Sequence, residues 1–203
     1  MTKTFARTTL AACAALALAA CSSMAGNSNG SNMPEAQAQS TSMGNPMVGG
    51  AAMFPTRDIV DNAVNSKDHT TLVAAVKAAG LVDTLKSRGP FTVFAPVNAA
   101  FAALPAGTVD TLLMPENKAM LTKVLTYHVV PGNIDSAELA RLIRAGGGKA
   151  WLKTASGGTL TASMMGSVPM ITDDTGASAH VTIANVRQSN GIIHVIDKVL
   201  LPK

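Results

Sequence analysis

The chain has 203 residues, 16 Lys and Arg against 12 Asp and Glu, a formal charge of +4, and only 1 Trp, 1 Tyr and 5 Phe. So few aromatics cannot build the stacking platforms of single-strand nucleic-acid sites, and no basic stripe accompanies them, which argues against a nucleic-acid partner. Part of the charge is not the domain's own, because Lys3 and Arg7 stand in a leader whose removal leaves +2.

That leader, MTKTFARTTLAACAALALAAC, sets a basic start before a long Ala/Leu run, the layout of an export signal. The run from Leu10 to Ala20 is about half of the ~20 residues that cross a bilayer, so it is not an anchor helix. Its end, Leu18-Ala19-Ala20-Cys21, resembles the lipobox of bacterial lipoproteins, in which a cysteine accepts diacylglycerol and becomes the mature N-terminus. An ordinary small-residue cleavage site with a chance cysteine is the alternative. On the lipobox reading Cys21 is the lipid attachment point and Cys13 is discarded, so the mature domain has no thiol chemistry. Ser22, rather than Asp, after the cysteine is the pattern of outer-membrane sorting in a Gram-negative cell envelope.

Residues 22–54 are Ser, Asn, Gly, Gln and Ala with scattered Met and no period of 2 or 3.6, a composition expected of a flexible tether. Gly26-Asn27-Ser28-Asn29-Gly30 fits the spacing of a hydrolase nucleophile elbow but lacks the strand and helix that such an elbow joins. Met24, Met33, Met43, Met47 and Met53 are soft donors for Cu(I), yet their irregular spacing without His or Cys points to composition rather than a site.

From Pro55 to Lys203 the composition becomes that of one folded domain. Asp68 opens an expected helix that carries Leu72, Val73, Val76 and Ala79 on one face and stops at Gly80, with His69 exposed in its first turn. FTVFAPVNAAF, residues 91–101, reads as a strand ended by Pro96 and followed by a helix capped by Asn98. Residues 117–125 form a helix with Met120, Leu121, Val124 and Leu125 inward, running into TYHVVPG, where the period changes to 2. Asp135-Ser-Ala-Glu138 is a capping box for a helix through Ile143, ended by Gly146 to Gly148. GGGKA there lacks the residues of a phosphate loop. KAWLKT, TLTASMM, AHVTIANV and GIIHVIDKVLL then read as a β-meander, which makes the whole an α+β fold.

Three segments stand in order at set distances: FTVFAPVNAAF with Phe94, Pro96 and Asn98; LTYHVVPG with Tyr127, His128, Pro131 and Gly132; and NGIIHVIDKVLLP with Asn190, Gly191, His194 and Asp197. Together they resemble the fasciclin (FAS1) domain, and the resemblance covers Pro55 to Pro202. It implies a folded-over β-sheet wedge packed against several helices, not known as an enzyme scaffold, and associated with adhesion and matrix contact. In some animal members the segment matched by Tyr127 and His128 is implicated in integrin binding.

The four histidines show no metal-ligand spacing, so no metal or cofactor is expected. His128 and His194 lie in apolar strands, where they serve as packed donors; His194 and Asp197 are expected to bond backbone or the Asn98 joint. Tyr127 and His128 stand where a helix becomes a strand, so alternation points them to opposite faces: His128 and Val130 pin the sheet, and Tyr127, where its ring is accessible, is the candidate for outside contact. The expectation is a non-enzymatic, lipid-anchored adhesion module whose partner is an unidentified envelope or extracellular protein or polysaccharide. The alternative is an envelope protein that binds a small ligand or metal.

Overall fold

The computed structural model describes residues 45–105 and 107–203; the leader, Cys21, Met24, Met33, Met43 and the Gly26 to Gly30 pattern lie outside them. The described residues belong to one compact unit. A hairpin of β1 (Met47–Val48) and β2 (Ala51–Ala52) precedes helices α1 (Ile59–Ala63), α2 (Thr70–Ala79) and α3 (Val82–Lys86). Strand β3 (Phe91–Pro96) leads to α4 (Asn98–Ala102), α5 (Thr108–Leu113) and α6 (Lys118–Tyr127). Then come β4 (Val129–Pro131), α7 (Ser136–Ala145) and the meander β5 (Lys149–Lys153), β6 (Thr159–Met165), β7 (Val168–Thr172), β8 (Ser178–Gln188) and β9 (Gly191–Ile196).

The seven larger strands form one sheet in the order β4-β3-β9-β8-β7-β6-β5. Neighbours are antiparallel except β3 and β9, which run parallel from Phe91 opposite Gly191 to Pro96 opposite Ile196. Because side chains alternate across a sheet, these central strands feed two cores. Val93, Ala95, Ile193 and Val195 pack with helices α1 to α6. Phe94 and Ile196 face the other way, against α7 and the inner residues Ala150, Leu152, Leu160, Ala162 and Ile171 of β5 to β7. Burial on both faces is why β3 and β9 are apolar at both parities. Gly191 permits their start, since a Cβ there would lie 2.0 Å from the Phe91 carbonyl oxygen.

Four boundaries differ from the sequence reading. The fold begins before Pro55: Val48 and Met53 are 4% and 2% exposed and belong to the helical core, so the end of the expected tether is part of the domain. Val168–Thr172 is a further strand, β7, inside the meander; Pro169 breaks its pattern but sits opposite Met164, one pair from the turn. Met120 lies on the outer side of α6 and is exposed. Strand β9 ends at Ile196, so Asp197 and Lys198 lie past it.

Asn98 is also reassigned. Val97 is the N-cap of α4, and Asn98, in its first turn, reaches across to α2. Its Oδ1 accepts the Thr71 N–H at 3.1 Å and its Nδ2 donates to the Lys67 carbonyl at 2.8 Å, so it caps a helix 27 residues earlier in the chain. Neither Asp68 nor His69 provides a side-chain cap there, which leaves Asn98 as the group that meets this orphan donor. By contrast, Asp135 caps α7 as its spacing predicts, accepting the Glu138 N–H at 2.9 Å. Asn98→Ala is expected to lower stability by about 1–2 kcal/mol, the usual cost of a lost cap, read as a lower urea midpoint with an unchanged m-value.

Candidate interaction site

Tyr127 closes α6 and His128 is its C-cap, so the helix runs two residues further than the change of period suggests. Both side chains go inward: Tyr127 is fully buried and His128 is 3% exposed. The expectation of an outward Tyr127 on a strand is therefore corrected, because the two residues end a helix rather than alternate across a sheet. Neither side chain can touch a partner while the domain is folded.

Each is fully committed inside. The Tyr127 hydroxyl donates to the Thr159 carbonyl and accepts the Asp174 N–H, both at 3.0 Å. Burial pushes its pKa up to about 12. Its ring fixes the β5–β6 loop as well: a Cβ on Gly158 would lie 2.6 Å from the ring's Cε2. His128 Nδ1 lies 2.8 Å from the Val124 carbonyl and Nε2 accepts the Leu200 N–H at 3.0 Å. A carbonyl can only accept and an N–H can only donate, so the ring is neutral with its proton on Nδ1. Burial lowers its pKa to about 4, against weaker opposing effects of Val124 and Asp173.

Asp173, buried beside this pair, was not singled out by sequence. Its Oδ1 accepts the Thr175 and Ala177 N–H groups, and its Oδ2 accepts the Leu201 N–H at 2.9 Å. His128 and Asp173 thus hold consecutive amides of the segment that follows β9. The Asp-Asp-Thr-Gly run from Asp173 to Gly176 signalled a turn, but nothing local indicated that its carboxylate reaches Leu201.

The remaining motif residues are structural. His194 lies 5.7 Å from the Phe94 ring in a stacked arrangement, and its Nε2 bonds the Ile134 carbonyl at 2.9 Å, the backbone option of the sequence reading. Its Nδ1 is buried without a partner among the described residues, and burial lowers its pKa. Asp197 does not reach Asn98; it accepts the His180 N–H at 2.7 Å and pairs with the His180 ring at 3.1 Å. Asn190 accepts the Ile59 N–H and donates to the Leu85 carbonyl, tying β9 to α1 and α3. Pro131 pairs opposite Phe91, and the Gly132 carbonyl accepts from Thr92, a fully buried threonine whose hydroxyl also accepts the Ile134 N–H. Thr92 reads from sequence only as an alternating strand residue.

His69 is 3% exposed rather than exposed as expected, because the 3-10 turn Lys67–His69 rotates it inward. Its Nδ1 meets Ser66 Oγ at 2.9 Å, and Nε2 has no hydrogen bond among the described residues. Burial lowers its pKa, with the Ala95 backbone pulling the other way. Ser66 and His69, with Lys77, Thr84, Thr126 and His128, are among the residues around a largely apolar cavity of about 100 Å³ between the first helices and β3, bordered by Val60, Val76, Val93 and Ala95. No group of three or more metal-binding side chains converges among the described residues.

The helix-ending Tyr-His pair, the parallel β3–β9 centre and the meander coincide with a family model described as "Fasciclin domain", which matches residues 67–202. The chain belongs to the fasciclin domain family. Protein sll1483 of Synechocystis is 47% identical over 77% of the chain and 79% of its own length. The cell surface glycolipoprotein MPB83 of Mycobacterium bovis is 31% identical over 78% of the chain and 67% of its own length. The fasciclin fold is also that of a solved FAS1 domain pair from the insect cell adhesion molecule Fasciclin I, with a TM-score of 0.63 at 19% identity. That match covers 71% of this chain and 51% of the insect one.

The buried histidines set the acid response of this fasciclin domain. An unfolded His128 takes up a proton near the ordinary value of about 6.5, whereas the folded one resists until about 4. Stability is therefore whole above about pH 6.5, falls as pH drops toward 4 and then levels, with a loss on the order of 3 kcal/mol from His128. Urea midpoints measured across this range are expected to decline on acidification, and His128→Gln is expected to flatten the decline.

Proposed function

We propose that this fasciclin protein is a non-enzymatic interaction module of the cell envelope, held there by a lipid on Cys21. The observation that carries the non-catalytic part is the saturation of Tyr127 and His128: each polar atom is spent on Thr159, Asp174, Val124 or Leu200. A general base needs a free lone pair near a reacting proton, and this segment offers none. Its contribution to adhesion is to rigidify the surface that meets a partner. The anchoring part is supported by the lipobox pattern and by the name of the mycobacterial relative, a cell surface glycolipoprotein. In cells fed a labelled fatty acid, the wild-type chain is expected to take up label and fractionate with membranes; Cys21→Ser is expected to lose the label. A labelled Cys21→Ser protein would sink the anchor.

The cavity favours a second reading, a small apolar ligand held beside His69. Apolar cavities of about 150 Å³ in other proteins stay dry and accept molecules such as benzene or xenon. Benzene is expected to raise the melting temperature of the wild-type chain by mass action, and Ala95→Val, which fills the cavity, is expected to remove that rise.

A further inference from the structure

The outer face of β5, β6 and β7 carries a patch that neither the fold nor the buried Tyr-His segment uses. Trp151, the only tryptophan of the chain, is 68% exposed on the edge strand β5. Alternation places Lys149 and Lys153 on the same face, each side of it, while Ala150 and Leu152 go to the core. Trp151 stands opposite Thr161, and Lys149 opposite Ser163. Ser163 in turn pairs with Met170, and the hairpin tip beyond them presents Met165 and Val168, 58% and 40% exposed.

Exposed apolar side chains normally stand singly; here an indole in mid-strand and a methionine and a valine at the β6–β7 tip share one face of the sheet. Neither lysine makes an ion pair among the described residues. From Lys149 to Thr172 the sequence contains no Asp or Glu, so the patch is uniformly cationic around an apolar centre. Lysines alone would suit any polyanion. The unbranched Met165 at a turn tip, with an amphipathic indole farther along the same face, suits a surface that is anionic outside and apolar a few ångströms deeper, which is a lipid headgroup layer. A polysaccharide could stack on Trp151 but would leave Met165 and Val168 in water.

We propose that the outer face of β5 to β7, with Trp151, Lys149, Lys153, Met165 and Val168, docks the domain onto an anionic lipid bilayer. The contact goes beyond the anchor at Cys21 and does not depend on it. A bilayer potential acts on each lysine close to the surface, and the apolar tip adds burial that salt does not screen. A single weak patch becomes effective when a second attachment keeps the domain near the membrane.

The test uses the chain from Ser22 onward, which carries no lipid, with vesicles of phosphatidylglycerol and phosphatidylcholine. Trp151 is the only indole, so its emission reports this site alone. The expected result is a shift to shorter wavelength with the phosphatidylglycerol vesicles, co-sedimentation, and partial reversal by salt. Lys149→Ala with Lys153→Ala is expected to weaken vesicle binding about 25-fold, near fivefold per lysine. Met165→Ser is expected to weaken it further, whereas Met120→Ser, at an exposed methionine on α6, leaves it unchanged. No emission shift with any vesicle would overturn the proposal, as would equal binding to pure phosphatidylcholine, or a shift with alginate but not with vesicles, which would make the patch a glycan site. A Cys21→Ser protein that kept its label in the cell experiment would sink the anchor and leave this result untouched, so the two readings fail separately.

Discussion

The neutral imidazole of His128 is the joint on which the two cores of this domain depend. Nδ1 completes the end of α6 by bonding the Val124 carbonyl, and Nε2 takes the Leu200 amide from the other end of the sequence. Only a ring that donates on one side and accepts on the other fits between a carbonyl and an amide, so a carboxylate or an ammonium at position 128 cannot replace it. Leu200 belongs to the core under the folded-over half of the sheet, whereas Val124 belongs to the core under the helices. One buried hydrogen-bonded ring thus holds the helical layer and the meander in fixed relation, and Asp173 repeats the grip at Leu201.

This accounts for the character of the Tyr127–His128 segment. Buried polar side chains survive in an apolar core when every donor and acceptor is met, and such networks fix one arrangement of the surrounding elements. Tyr127 fixes the β5–β6 and β7–β8 loops through Thr159 and Asp174; His128 fixes the segment after β9. The pair's hydrogen bonds end on the loops that it positions, and its own side chains do not reach the surface.

Much of the fold was legible in the sequence because its signals are local. The Asp135 capping box, the helical spacing of Leu121, Val124 and Leu125, and the double-sided apolar runs of β3 and β9 each depend on neighbours a few residues away. What escaped depends on distant partners. Asn98 looks like a cap for its own helix, but Val97 occupies that position without a side-chain bond and the Asn98 amide turns to α2. Tyr127 reads as a strand residue because Val129 and Val130 alternate, yet its position on α6 is decided by tertiary packing. Thr92, Asp173 and the burial of His69 have no sequence signature, and Val48 and Met53 are masked by the low-complexity residues before them. The cationic, indole-bearing face of β5 was visible as residues but not as a surface, since register sets which side chains share it.

The parallel pairing of β3 with β9 has a consequence in time. Phe91 meets Gly191, so the centre of the sheet closes a loop of about 100 residues, a non-local pairing that is slow to form. Helices α1 to α6 and the hairpins of the meander can form as the chain emerges, but each leaves one face uncovered until residues 191–196 arrive. Both cores therefore close on residues 191–196, and β9 is the keystone of the sheet.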